Sequence, residues 1–179
     1  KRLRPEARER FAAHALEQFM NIAEHYKSED MSNAAMAEEL MKVNADSLGA
    51  VGRAKFDELT GKIYPDACKK QYRAAKEAYD SGEYDTVISS LETVMQMDES
   101  YNDGAAMLLL AQGYEKKGDQ DKANTTYQKI IETWPDTDVA TQAQQALDAQ
   151  SGNTDNSDSK KSDDTKKNSD NDDNGDNNN

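Results

Sequence analysis

The chain has 179 residues, 35% hydrophobic and 32% charged, with a net charge of −13 and an isoelectric point near 4.6. An acidic body argues against nucleic acid as the main partner, because phosphate contacts need a basic face. A single cysteine, Cys68, excludes an internal disulfide, and no run of 18 apolar residues reads as a membrane span. The charge is uneven: residues 1–10 carry +3, residues 151–179 carry −4, and the stretch between them carries −12.

Taken in order, residues 1–150 read as helix, with Pro5, Pro65 and Pro135 at expected boundaries. Pro5 suits a first helical turn, and Phe11, Ala15, Phe19, Ile22, Ala23 and Tyr26 form one apolar stripe ending near Lys27–Asp30. A second helix is predicted from about Ser32 to Val43, with Ala34, Ala37, Leu40 and Met41 inward, before a capping turn at Asn44–Ser47. A third turns Leu48, Val51, Phe56, Leu59 and Ile63 inward until Pro65 breaks or kinks it. From Asp66 a helix runs to Asp80, followed by a partner carrying Val87, Leu91, Val94 and Met95. The next pair carries Met107, Leu110, Ala111 and Tyr114, then Ala123, Tyr127, Ile130 and Ile131. A last helix holds Val139, Ala143, Ala146 and Leu147, and its Gln142, Gln144 and Gln145 suit a solvent-facing cap. Residues 151–179 contain no apolar or aromatic side chain and are predicted to be disordered.

Two helix pairs turn at Gly82-Glu83-Tyr84 and Gly118-Asp119-Gln120, 36 residues apart, and a period of that length means stacked supersecondary units. In the second unit Leu110, Ala111, Tyr114, Gly118, Asp119, Ala123, Tyr127 and Pro135 resemble the tetratricopeptide repeat. Ala75, Gly82 and Tyr84 of the first unit fit the same pattern, with Val87, Leu91 and Glu99 departing from it. In residues 13–63 only Ala23, Tyr26 and Ala34 or Ala35 stand as remnants. The resemblance implies an all-α fold: a short right-handed α-solenoid of antiparallel helix hairpins with a disordered C-terminal tail. The expected divisions are an N-terminal helical region at 1–65, two repeat-like hairpins with a capping helix at 66–150, and the tail at 151–179.

The resemblance further implies a non-catalytic scaffold that binds a peptide or partner protein on the inner face, lined by the first helix of each hairpin. By register those positions are Lys69, Tyr72, Lys76 and Tyr79 in the first unit and Leu108, Gln112, Glu115 and Lys116 in the second. Leu108 and Leu109 are either covered by neighbouring helices or, for Leu108, the floor of a groove. The carboxylate clamp of the chaperone-tail-binding branch is not reproduced, since Tyr72 and Lys76 stand where its first residues would fall. Thr133-Trp134-Pro135-Asp136-Thr137 is similar to a joint in repeats of bacterial envelope proteins such as the Tol-Pal accessory and outer-membrane assembly lipoproteins. That similarity, with a start at Lys1 and the basic Arg2 and Arg4, implies as an alternative a self-associating envelope protein anchored by a segment upstream of Lys1. Basic residues directly after a span disfavour export and weigh against that alternative. The oligomeric state is left open.

No cofactor or metal is expected. His14 and His25 lie about 16 Å apart along a helix, too far to share an ion. There is no phosphate loop, His-Glu-x-x-His motif or Ser-His-Asp set, and Glu38-Glu39 reads as a solvated pair. Cys68 reads as a small residue near a helix start, with a reactive thiol as the minor alternative. Asp170–Gly175 mimics the opening of a calcium loop but lacks the closing Glu and flanking helices. The sequon at Asn124 falls inside a predicted helix.

Overall fold

The computed structural model describes residues 4–154, and those residues form seven α-helices and no strand. They are α1 (Pro5–Ser28), α2 (Asn33–Lys42), α3 (Gly49–Asp80), α4 (Tyr84–Met97), α5 (Ala105–Lys117), α6 (Gln120–Thr133) and α7 (Asp138–Thr154), with a single 3-10 turn at Ala45–Ser47. From α2 onward each helix packs chiefly on its chain neighbours, and the first helices of successive hairpins also touch, α3 on α5 and α5 on α7. This is a short α-solenoid.

The helix ends follow local chemistry. Pro5 opens α1, and Glu29 closes it in the left-handed region at φ 54°. Ser32 caps α2, its side chain accepting from the Ala35 N–H at 3.3 Å. The two hairpin turns repeat bond for bond. At the first, the Glu83 N–H donates to the Ala78 carbonyl at 2.8 Å around Gly82 at φ 77°. At the second, 36 residues on, the Asp119 N–H donates to the Tyr114 carbonyl at 2.9 Å around Gly118 at φ 88°. Both close a helix with a left-handed glycine and a six-residue return bond.

The largest departure from the sequence reading is α3, a single helix of 32 residues with Pro65 inside it. Ile63, Ala67 and Cys68, on either side of the proline, are all buried, so packing on both flanks offsets the missing hydrogen bond. The expected division at 65/66 therefore falls within one helix. The core nevertheless separates close to that point. One buried cluster joins Ala15, Phe19 and Ile22 of α1, Met36, Ala37 and Leu40 of α2 and Phe56, Leu59, Ile63 and Ala67 of α3. The other begins at Cys68 and runs through Val87, Leu91, Ala111, Tyr127 and Ile130 to Ala143. Met97 packs against both.

Three inward assignments are corrected. Phe11 is 53% exposed, because the buried residues of α1 begin only at Ala15. Tyr26 lies at 36% and Val51 at 73% exposure, since α1 and the start of α3 leave an open groove between them. The last helix also runs past the expected boundary at 150/151 to Thr154, where the Ser151 hydroxyl donates back to the Leu147 carbonyl at 3.1 Å. The expectation of disorder beyond that point lies outside the described residues. Gln142, Gln144 and Gln145 are exposed on α7, as a capping face requires.

Candidate functional site

The residues expected to line the inner face sit on the second half of α3 and on α5, two helices in direct contact. On α3, Lys69 and Lys76 are exposed, and Tyr72 and Tyr79 are half-buried against the repeat core. Each tyrosine is held by a second ring. Tyr72 meets Tyr101 edge-on, with centroids 5.7 Å apart, and Tyr79 meets Tyr84 in the same way at 5.7 Å. The Lys76 ammonium lies 5.9 Å from the centroid of Tyr72, within reach of a cation–π attraction. A partner contacting this strip would meet aromatic surface whose rotamers are already fixed, so little side-chain entropy is lost on binding. Lys69 also lines a shallow depression of about 520 Å³ with Lys70 and Arg73, bounded by Asp66 and Glu77.

The positions on α5 divide. Leu108 is 7% exposed and belongs to the core, so it does not floor a groove; neighbouring helices cover it. Leu109 is half-buried against the same core. Gln112 and Glu115 are half-buried and Lys116 is exposed. Glu115 is already engaged, accepting a hydrogen bond from the Tyr127 hydroxyl at 2.7 Å. Burial raises the Tyr127 hydroxyl above its ordinary range, the Glu115 bond raises it further, and Tyr79 adds a smaller push. The fold thus brings Tyr79, Tyr127 and Glu115 into one neighbourhood, with Tyr72 and Lys76 one to two turns further along α3.

Several participants escaped the sequence reading. Tyr101 lies in the joint after α4 and carries no periodic signal, yet it fixes the Tyr72 ring. Tyr84 reads from the sequence as part of a turn and as a fit to the repeat pattern, without its ring contact to Tyr79. Glu92 accepts a hydrogen bond from the Tyr114 hydroxyl at 2.6 Å, joining α4 to α5. A groove of about 730 Å³ between α1 and the start of α3 was also missed; Leu16, Met20, Ala23, Leu48 and Val51 line it, with Lys27, Lys55, Glu58 and Lys62 at its edge.

The apparent chemical signals stay separate. The His25 Nδ1–H donates to the Asp30 carboxylate at 2.8 Å, holding that carboxyl below its usual range. Cys68 is fully buried, and burial pushes its thiol up to about 11, away from thiolate chemistry. Asn124 is confined within α6. No group of three metal-binding side chains occurs among the described residues, and no helix among them is long and apolar enough to cross a membrane.

Residues 105–137, which comprise α5, α6 and the joint after them, match the family model of the tetratricopeptide repeat. No curated protein and no solved structure matches the chain. Tetratricopeptide repeats are in general protein–protein interaction modules.

Proposed function

We propose that the protein is a non-catalytic scaffold that holds an extended, acidic peptide segment of a partner protein along α3 and α5. Tyr72 and Tyr79 supply the anchoring area, and Lys69, Lys76 and Lys116 supply the charge. Gln112 and the free edge of Glu115 supply hydrogen-bonding capacity. Leu108 contributes from beneath by holding α5 in place. The observation that carries the reading is the Tyr101–Tyr72–Lys76 stack, a half-exposed and ring-braced aromatic with a cation on it, set in a chain of net charge −13. Tyrosine is favoured at interfaces because it buries much area for few rotatable bonds. A local basic strip on an acidic body favours an acidic partner and disfavours basic ones.

A peptide-display selection against the full chain tests this. The expected outcome is a set of peptides rich in Asp and Glu whose binding falls about tenfold in Tyr72→Ala and in Lys76→Glu, a loss of about 1.4 kcal/mol. Selected peptides indifferent to both substitutions, or a selection that yields no binder, would overturn the reading.

A further inference from the structure

We propose that the outer face of α1 is an interface with a second copy of this chain, packed antiparallel about a two-fold axis near position 18. One face of α1, Ala15, Phe19 and Ile22, is buried in the chain's own core. A second row runs along the same helix: Glu9, Ala13, Leu16, Met20, Ala23 and Lys27. Its spacing of 4, 3, 4, 3 and 4 residues is that of a coiled-coil seam, and at 1.5 Å per residue it extends about 27 Å. Unlike a solvent-facing row, it is apolar throughout its middle and charged only at its ends. Leu16 is 44% exposed, Met20 is 55% exposed and Ala13 is exposed, so no described residue covers the middle of the row, and only Ala23 is partly buried against the chain's own core. Val51 of α3, at 73% exposure, borders the same groove and extends the patch.

The order of residues identifies the occupant. The row is symmetric about position 18, pairing Leu16 with Met20, Ala13 with Ala23 and Glu9 with Lys27. A two-fold axis there sets each residue against its complement in the other copy: aliphatic on aliphatic, small on small, and carboxylate on ammonium at both ends. Beside the row, the same axis brings the exposed Arg10 within two residues of Glu24 of the other copy, about 3 Å along the helix, and Glu17 meets its own kind. A parallel pairing would instead oppose Glu9 to Glu9, Lys27 to Lys27, Arg10 to Arg10 and Glu24 to Glu24. None of these four charged side chains is held in an ion pair among the described residues, so all are available. Among the described residues no helix is free to occupy the row. Helices α2 and α4–α7 are packed in the solenoid, and residues 155–179 carry no apolar side chain.

Sedimentation velocity on the full chain over a concentration series tests the proposal. The wild type is expected to shift from monomer to dimer as concentration rises, and Met20→Glu to remain monomeric with unchanged helicity by circular dichroism. Orientation is read from charge reversal. Glu9→Lys and Lys27→Glu should each weaken dimerisation about tenfold. The double variant Glu9→Lys/Lys27→Glu should restore it, because antiparallel pairs are merely exchanged. A wild type that stays monomeric to its solubility limit, a dimer that survives Met20→Glu, or a double variant no better than the singles would each overturn the proposal. The inner-face reading stands independently of these outcomes, since Met20 and Glu9 lie outside it.

Discussion

Gly104 shows how tightly individual positions are constrained. Its φ of 86° lies in the left-handed region, and a Cβ placed there would stand 2.9 Å from the Trp134 ring. Asn102 and Asp103 before it are left-handed as well, so the joint ahead of α5 turns sharply beneath the indole that follows α6. Gly104→Ala combines a backbone penalty of about 1 kcal/mol with overpacking of about 1–3 kcal/mol. We expect it to lower stability by about 2–4 kcal/mol, read by urea unfolding with fluorescence of Trp134, the only tryptophan. At Gly113 the conflict is closer, because a Cβ would meet Val87 at 3.0 Å while alanine favours the helix. Cys68 carries a second prediction. Its raised thiol favours the neutral form in the folded chain, a contribution that is whole below the ordinary value of 9.0 and lost as pH rises through about 11. Tyr114 and Tyr127 are also raised, first by burial, and add to the same alkaline loss above 10.0. Urea midpoints should therefore hold steady to about pH 9 and fall beyond it. A thiol reagent at pH 8 should label Cys68 only as fast as the chain opens.

At the scale of elements, α3 is the informative helix. Pro65→Ala restores one N–H donor within it and removes the helix-interior penalty of proline. We expect a gain of about 1–2 kcal/mol after allowance for the greater entropy of the unfolded chain, measured as a rise in the urea midpoint. The same helix explains what could be read in advance. The stripes of α2 and α4–α6 and both glycine turns were legible because apolar periodicity and left-handed caps are local signals. The continuity of α3 was not, because whether a proline ends a helix depends on what packs on each side of it. Val51 was misassigned for a related reason: its spacing fits the inward stripe, but no neighbouring helix covers that stretch. For the candidate site, register located Tyr72, Lys76 and Tyr79. Tyr101 braces Tyr72 through a tertiary contact from an irregular joint, where no period exists to read. Leu108 shows the same limit, since a run of four apolar residues does not say which of them lies open.

For the molecule as a whole, the two core clusters share one helix and little else. In a solenoid each unit depends mainly on its neighbours, so damage should remain local. Leu40 is fully buried in the first cluster, and Leu40→Ala should cost about 2–5 kcal/mol there. Hydrogen exchange is expected to quicken in α1, α2 and the first half of α3 while α5 and α6 keep their protection; a uniform loss would mean that the chain opens as one unit.

The unbroken course of α3 also fixes a helical phase. Because each added residue turns a helix by about 100°, two residues inserted between the exposed Gly61 and Lys62 would rotate α4–α7 by about 200° relative to α1 and α2. Seven inserted residues would bring the rotation back to within about 20° of the original. The angle between the outer face of α1 and the Tyr72–Lys76 strip is thus written in the residue count of one helix, and a chain bound at both places would lose one grip after the shorter insertion and regain it after the longer.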